Sequence, residues 1–434
     1  MEWHEFPIEI AGDPGAPRVR VLGPVLGGEM AASAAEPVVV APEVATLIGK
    51  LERRKATPEQ VFGLGRLLGD ALLPGRVREL FGATRRALGD DWLRIRLVIE
   101  PDDLAALPWE YAHVARTSGD PQAADFLALA SGVSLVRHQV TGAPLAALPD
   151  KAAFRVVLAI AEPEDLAALV LDRDREAVED ALELVGGGSG AIRLDTVRPA
   201  TRAALTPALR EADVFHFAGH GGFGAAGFTD DGRPLTGGFL VLENDAGTSD
   251  RLPSGDLALM LDGAGARLVV LGACESATRD DNGPWTGVAS ALTRNDVPAV
   301  VAMQYKVLDA NASRFMAPFY AAIFAGRSID EAVWEGRRAI FLAGSGVTER
   351  DWGVPALYSR TTDGVLFDVP DAPAERSAAV RVRQRVDTVR GTMTGVRGAL
   401  LAPGAPDIDV AQHIVRVEAG ATVIGVDLGE HGGC

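Results

Sequence analysis

The sequence predicts an α/β fold, a mostly parallel sheet flanked by helices, and three observations predict it. Apolar strand-like runs alternate with helix-like patterns through residues 146–370, the signature of a parallel sheet covered on both faces. Two of those runs stop abruptly at a reactive side chain: VFHFAGHG at 214–221 reaches His220, and LVVLGACESA at 268–277 reaches Cys274. In such sheets the functional crevice lies beyond the carboxyl ends of the strands. The chain is also long, 434 residues with 47% hydrophobic content, which suggests two to three domains with ample core.

Residues 1–145 read as a first, mixed α/β half. Strands at 6–10 and 18–22 pair across Asp13-Pro14-Gly15, a turn signal. A helix at 58–73 carries Val61, Leu64, Leu67 and Leu68 at helical spacing after Thr57, its N-cap. A second helix covers 77–88. A strand at 93–99 ends at Glu100-Pro101, and another covers 134–137. The histidines here, His4, His113 and His138, have no nucleophile near them in sequence.

Residues 146–370 form the second half. Strands are expected at 154–160, 192–196, 214–217, 238–243, 268–271, 299–303 and 355–358. Helices are expected at 172–185, 201–211, 254–261, 285–294, 310–324 and 328–342. The glycine-rich stretch 221–238 and residues 280–283 read as mobile loops. Residues 371–385, rich in Pro, Ala, Arg and Asp, read as a linker. Beyond it, VDTVRGTMTGVRG at 386–398 resembles IVRVEAGATVIGVDLG at 414–429. This weak internal repeat reads as two β-hairpin-like arms, a small β appendage over 386–434 that contacts a partner or another copy.

Composition narrows the function. Fifty-nine acidic against 42 basic side chains give a formal net charge of −17, which argues against nucleic acid. The two cysteines, Cys274 and Cys434, cannot make a disulfide framework, so a reducing compartment is expected. The start, MEWHE, lacks the basic flank and apolar run of a secretory signal. The longest apolar runs fall well short of the roughly 18 residues of a membrane span. The expectation is a cytoplasmic protein without membrane contact.

The chemistry centres on His220 and Cys274. They lie 54 positions apart with the histidine first, as in caspase-like peptidases, where the histidine precedes the nucleophile by about 50 residues. A thiol at its reference pKa of about 8.5 is mostly protonated at neutral pH and becomes a good nucleophile beside an imidazole. The amides of Gly221 and Cys274 are candidates for the oxyanion hole. His216, four residues before His220, is expected as a packed or hydrogen-bonded support. Asp213 could orient a histidine, although a surface carboxylate at the strand start is the plainer reading. Asp280 and Asp281 could meet a basic substrate. No metal or cofactor is expected: a His-x-x-x-His pair binds metal from a helix, and this one lies on a strand and loop.

HFAGHG at 216–221 and LGACESA at 271–277 resemble the CHAT family of caspase-like peptidases. The match extends to residues 297–333, to WGVPALYSR at 352–360 and, upstream, to LAALPWEYA at 104–112 and FLAL at 126–129, about 15–368 in all. The resemblance implies a caspase-like fold whose residues 1–145 are a degenerate half without the dyad and whose residues 146–370 hold it. It places His220 and Cys274 at the catalytic positions of a bacterial cysteine endopeptidase. It further implies a regulated defence, stress or cell-death role, in which the chain cleaves a specific partner protein. Arg/Lys-specific members of the wider clan carry Asp two positions before the nucleophile; here Gly272 stands there, so a neutral or apolar P1 residue is expected, with Asp309 a candidate pocket carboxylate. The sequence contains no TPR repeats, so what restrains or activates the protease is expected either to be a protein regulator or sensor encoded nearby or to sit in the β appendage at 386–434. The competing reading is a non-catalytic caspase-like docking module.

Overall fold

A computed structural model describes residues 2–13, 15–26, 34–115, 120–139, 145, 148, 149, 151, 153–169, 171–186, 192–228, 234–273, 284–305, 307–344, 346–367, 380–389, 392–397, 408–417 and 422–427. The chain divides into two compact units, Met1–Ala372 and Pro373–Cys434.

The first unit begins with β1 (Trp3–Ala11), β2 (Arg18–Val21) and β3 (Glu36–Pro37), followed by α1 (Glu43–Glu52), α2 (Pro58–Leu72) and α3 (Gly75–Ala87). Next come β4 (Trp92–Ile99), a short α4 (Asp102–Ala105) and β5 (Val133–Arg137). The expected hairpin is present, with Ile8 opposite Val21 in an antiparallel pair. Thr57 caps α2 in a full capping box with Gln60. The helix α1 was not expected, and it lacks the usual signal: Pro42 stands at its N-cap with no side-chain hydrogen bond.

The chain continues through β6 (Phe154–Ile160), α5 (Asp172–Gly186), β7 (Ile192–Val197), α6 (Arg202–Ala208) and β8 (Val214–Gly219). Then follow β9 (Gly221–Phe228), β10 (Pro234–Glu243), β11 (Ser249–Pro253), α7 (Ser254–Leu261) and β12 (Leu268–Ala273). The unit closes with α8 (Pro284–Arg294), β13 (Ala299–Met303), α9 (Asp309–Phe324), α10 (Ile329–Ala343) and β14 (Pro355–Ser359). Ser328 caps α10 with a capping box to Glu331.

Eleven strands make one sheet in the order β3-β2-β1-β4-β5-β14-β13-β12-β8-β6-β7. The strands β1, β4, β5 and β14 are mutually parallel, and so are β13, β12, β8, β6 and β7. The antiparallel β13–β14 pair joins the two blocks. One sheet therefore runs through both halves, and β14, from the second half in sequence, completes the block of the first. The strands β5, β8, β13 and β14 are buried at every position. That is why they read as nearly continuous apolar runs.

Buried charges cross between the halves. Glu110 is fully buried and accepts from Arg137 Nε at 2.9 Å and Nη2 at 2.8 Å, and from Gln304 Nε2 at 2.7 Å. Burial alone would raise the Glu110 carboxyl, but the charge of Arg137 and its hydrogen bonds outweigh it and hold the pKa below the usual range. Arg94 on β4 forms a second two-point pair with Asp330 on α10, both nearly inaccessible.

Of the stretch 221–238, expected as a mobile loop, residues 229–233 lie outside the described residues and the rest instead contributes β9 and part of β10. These strands pair antiparallel with each other, and β10 pairs with β11, in a separate three-stranded sheet. The glycines are consistent with this because the ladder satisfies the backbone and a bulky neighbour fills the space above it. A Cβ on Gly222 would lie 2.4 Å from the Phe239 ring. The Arg251 guanidinium carbon lies over that ring, 4.8 Å from its centroid, and the guanidinium donates to the Ala225 carbonyl at 2.7 Å.

His216, on β8, is fully buried with Nδ1 3.0 Å from the Tyr320 hydroxyl of α9. Burial pushes its pKa down to about 3.

In the second unit the expected hairpin arms are replaced by parallel pairs. The strand β15 (Val380–Val389) pairs with β17 (Ile408–Val417), and β16 (Thr392–Arg397) with β18 (Thr422–Asp427). The residues read as linker at 371–385 overlap β15, whose alternation Val380-Arg381-Val382-Arg383 is a strand pattern that the charged composition obscured.

Two outcomes follow from this core. Glu110→Ala leaves Arg137 buried and uncompensated, and is expected to cost about 3–5 kcal/mol in urea unfolding; an unchanged midpoint would contradict the role given to this cluster. An unfolded histidine takes its proton near pH 6.5, whereas His216 does so only near 3. Below about pH 6.5 the unfolded state binds the extra proton, so stability falls with acidification by roughly 1 kcal/mol per pH unit from this group. His216→Gln is expected to flatten that part of the slope between pH 6.5 and 4.5.

Candidate functional site

His220 is the residue between β8 and β9. Its carbonyl accepts from the Val241 amide at 2.9 Å, which ties it to β10. The preceding Gly219 has no room for a side chain: a Cβ there would lie 2.8 Å from the Phe217 ring and 3.1 Å from the Ala161 carbonyl oxygen. The β8 strand thus reaches the edge of the sheet under close packing, and His220 is itself buried.

The His220 ring is oriented by a backbone carbonyl. Its Nε2 lies 2.9 Å from the Ala167 oxygen. A carbonyl only accepts, so Nε2 carries the hydrogen, and in the neutral ring Nδ1 holds the lone pair. Ala167 lies in the segment after β6, and that segment is anchored repeatedly. The Glu162 amide donates to Glu243 Oε1 at 2.9 Å, and the Glu164 amide to the Gly247 carbonyl at 2.9 Å. The carboxylate of Asp165 accepts from the amide of Ser249 at 2.8 Å and from its hydroxyl at 2.7 Å. Those two bonds hold the Asp165 carboxyl below the usual carboxylate range.

Sequence reasoning passed over Ala167 and Asp165. A backbone carbonyl has no residue-type signature, and an exposed aspartate in an acidic loop resembles any other.

The neighbouring strand is in register. In the parallel β8–β12 pair, Ala218 faces Gly272 and Gly219 faces Ala273. Gly272, the expected pocket position, is buried in this ladder. Gly221, the expected oxyanion donor, is buried at the first position of β9, opposite Leu240. Cys274, Asp280 and Asp281 lie outside the described residues, as does the side chain of Asp309, the first residue of α9.

The two supporting candidates separate. His216 faces Tyr320 through Nδ1 and stays neutral. Asp213 is buried, contrary to the surface reading, and stands one residue before β8, at the opposite end from His220. Its carboxylate accepts from Lys151 Nζ and from the Arg155 amide at 2.8 Å, and lies 3.7 Å from Arg267 Nε. It anchors the entry to β8 and does not orient His220.

Among the described residues, Glu2, His4 and Asp91 have ligand atoms within 4.8 Å of one another. Hydrogen bonds already account for this grouping: Asp91 accepts from the Glu2 amide at 2.8 Å and pairs with His4 Nε2 at 3.1 Å. No helix among the described residues is long and apolar enough to cross a membrane.

No curated protein matches the chain. Among solved structures it is similar to separase in the Saccharomyces cerevisiae separase–securin complex, at 12% identity and a TM-score of 0.48. That match covers 82% of this chain and only 30% of the separase chain. It is similar to the Arg-specific cysteine proteinase gingipain R, at 11% identity and a TM-score of 0.43, over 75% of each chain. It is also similar to caspase-1 from Spodoptera frugiperda, at 11% identity and a TM-score of 0.31, over 53% of this chain and 95% of that one. The family model of the CHAT domain matches residues 63–354, well over half of the sequence and inclusive of both strand ends described above. The chain belongs to the CHAT domain family.

Proposed function

We propose that the chain is a cysteine endopeptidase in which Cys274 is the nucleophile and His220 the general base and acid. The observation that carries this reading is the combination of the His220 tautomer with the β8–β12 register. The Ala167 carbonyl leaves Nδ1 as the basic nitrogen, and Ala273 stands opposite Gly219 on the adjacent strand. In the chain His220 follows Gly219 and Cys274 follows Ala273, the last paired positions of the two strands.

In the reaction the Cys274 thiol gives its proton to His220 Nδ1, and the sulfur attacks the scissile carbonyl carbon. The carbonyl electron pair moves onto oxygen, where the amides of Gly221 and Cys274 are the candidate donors. Collapse of the intermediate breaks the C–N bond as His220 passes its proton to the leaving amine. Water, deprotonated by His220, then releases the acyl group and regenerates the thiol. Throughout, the Ala167 carbonyl keeps the imidazole in one orientation.

The substrate is a specific partner protein, and a regulator or sensor encoded nearby controls the cleavage in a bacterial defence, stress or cell-death response. A reducing cytoplasm suits an enzyme that depends on a free thiol.

The first test is co-expression of the wild type and Cys274→Ala with the proteins encoded beside the gene, with fragments read by mass spectrometry. A fragment present only with wild type is expected; fragments that persist with Cys274→Ala, or none with any neighbour or under stress, would overturn the reading in favour of a docking module. With a cleaved substrate in hand, His220→Ala is expected to lower kcat/KM by roughly 10⁴-fold or more with far-UV circular dichroism unchanged. Asp165→Ala, which releases the segment bearing Ala167, is expected to lower kcat by up to about 100-fold with little change in KM. A fall in KM-dependent binding alone would assign Asp165 to the substrate groove instead.

A further inference from the structure

The second unit pairs its internal repeat with itself. Residues that correspond between the repeats stand opposite one another, Val386 with Ile414 and Val389 with Val417, and the same register runs back before the repeats through Gln384 with Gln412 and Val382 with Val410. In the second strand of each repeat, Thr392 faces Thr422, Met393 faces Val423 and Val396 faces Val426. Both pairings are parallel. Each repeat is therefore one rung of two strands, and the second rung lies along the first in the same direction.

A stack of this kind is not self-limiting. The rule that lays the second rung on the first also suits a third rung. Among the described residues, β15 pairs with β17 and β16 with β18, and with no other strand. Each outer edge therefore carries backbone donors and acceptors of the same spacing that the inner edges have already satisfied. Two rungs are also fewer than the three or more that stacked repeats usually need for stability.

Charge selects how a further rung would add. The first rung carries Arg381 and Arg397 where the second carries Asp409 and Asp427. Arg383 and Arg385 of the first rung stand opposite Ala411 and His413, and Arg416 of the second stands opposite Thr388. A first rung laid on another first rung would set Arg381, Arg383, Arg385 and Arg397 against their own copies. A second rung on a second rung would oppose Asp409 and Asp427 in the same way. A second rung on the first rung of another chain repeats the pairing found within the chain, Arg with Asp at both positions. Directly opposed unlike charges stabilise a strand pair and like charges destabilise it.

We propose that residues 380–427 bind a second copy of this chain head to tail, the second rung of one chain on the first rung of the next. The contact is heterologous and does not close, so it adds copies without a fixed number. The partner is this chain itself, and the column of alternating Arg and Asp sets the polarity of the stack. The proposal does not depend on the peptidase reading.

The test is sedimentation velocity of the full chain under reducing conditions over a range of concentrations, with three variants. Wild type is expected to grow with concentration past the dimer without a plateau. Arg381→Asp with Arg397→Asp gives rungs that are acidic at both positions, and Asp409→Arg with Asp427→Arg gives rungs that are basic at both. Each alone is expected to assemble about tenfold more weakly, and an equimolar mixture of the two to recover assembly. Should either variant fail to fold alone, that recovery and the third variant still decide the matter. The third carries all four exchanges; it is expected to assemble with itself but not to incorporate fluorescently labelled wild type. The proposal is overturned if wild type is a monomer or a closed dimer at every concentration. It is equally overturned if the double variants assemble as wild type does, or if neither the mixture nor the fourfold exchange assembles.

Discussion

The antiparallel seam between β13 and β14 is the constraint on which the first unit depends. Without β14 the sheet would be two parallel blocks, each with an open edge facing the other. The segment 355–359 fills that gap, pairing antiparallel with β13 and parallel with β5. The Glu110, Arg137 and Gln304 cluster holds the two blocks together with buried hydrogen bonds, as the Arg94–Asp330 pair does between β4 and α10. A buried ion pair gains little over a well-packed apolar pair, but it is costly to break. It therefore penalises any arrangement in which the halves are displaced.

The seam also decides which strand ends meet. Because the blocks run in opposite directions, the carboxyl ends of β6, β8, β12 and β13 lie together at one side of the sheet. The first block presents its amino ends there. That geometry puts His220, which follows β8, at the side where the second block presents its carboxyl ends. At that edge the imidazole of His220 is held by a loop carbonyl, and the loop by Asp165, Glu162 and Glu164 through the β10–β11 turn. The three-stranded sheet therefore serves the site indirectly: it fixes the loop that fixes the ring.

Much of this was legible from residue patterns. The buried strands β6, β8, β12 and β13 were readable because burial on both faces leaves an apolar run that few other elements produce. The capped helices α2 and α10 were readable because Thr57 and Ser328 carry a local hydrogen-bond signature. The position of His220 at the carboxyl end of β8 followed from where its apolar run stops. The uncapped α1 and the glycine-rich β9 were not readable, because their backbone groups are satisfied by helix continuation and by a distant strand, and neither leaves a local mark. The second unit shows the same limit: its repeat was visible, but hairpin and stacked-rung pairings use the same alternating residues.

The sequence by itself determined the mostly parallel α/β class, the two buried strands that precede His220 and Cys274 in the chain, and the family to which the chain belongs. These are properties of residue type and order, which burial and local hydrogen bonding translate directly. Tertiary structure alone decided that β14 returns to join the blocks, that Asp213 anchors a strand and not a ring, and that the Ala167 carbonyl sets the tautomer of His220. It also decided that the C-terminal repeats lie parallel. Each of these depends on which distant segments come into contact, and apart from the side chains around Asp213 it is backbone groups, alike at every residue, that make those contacts.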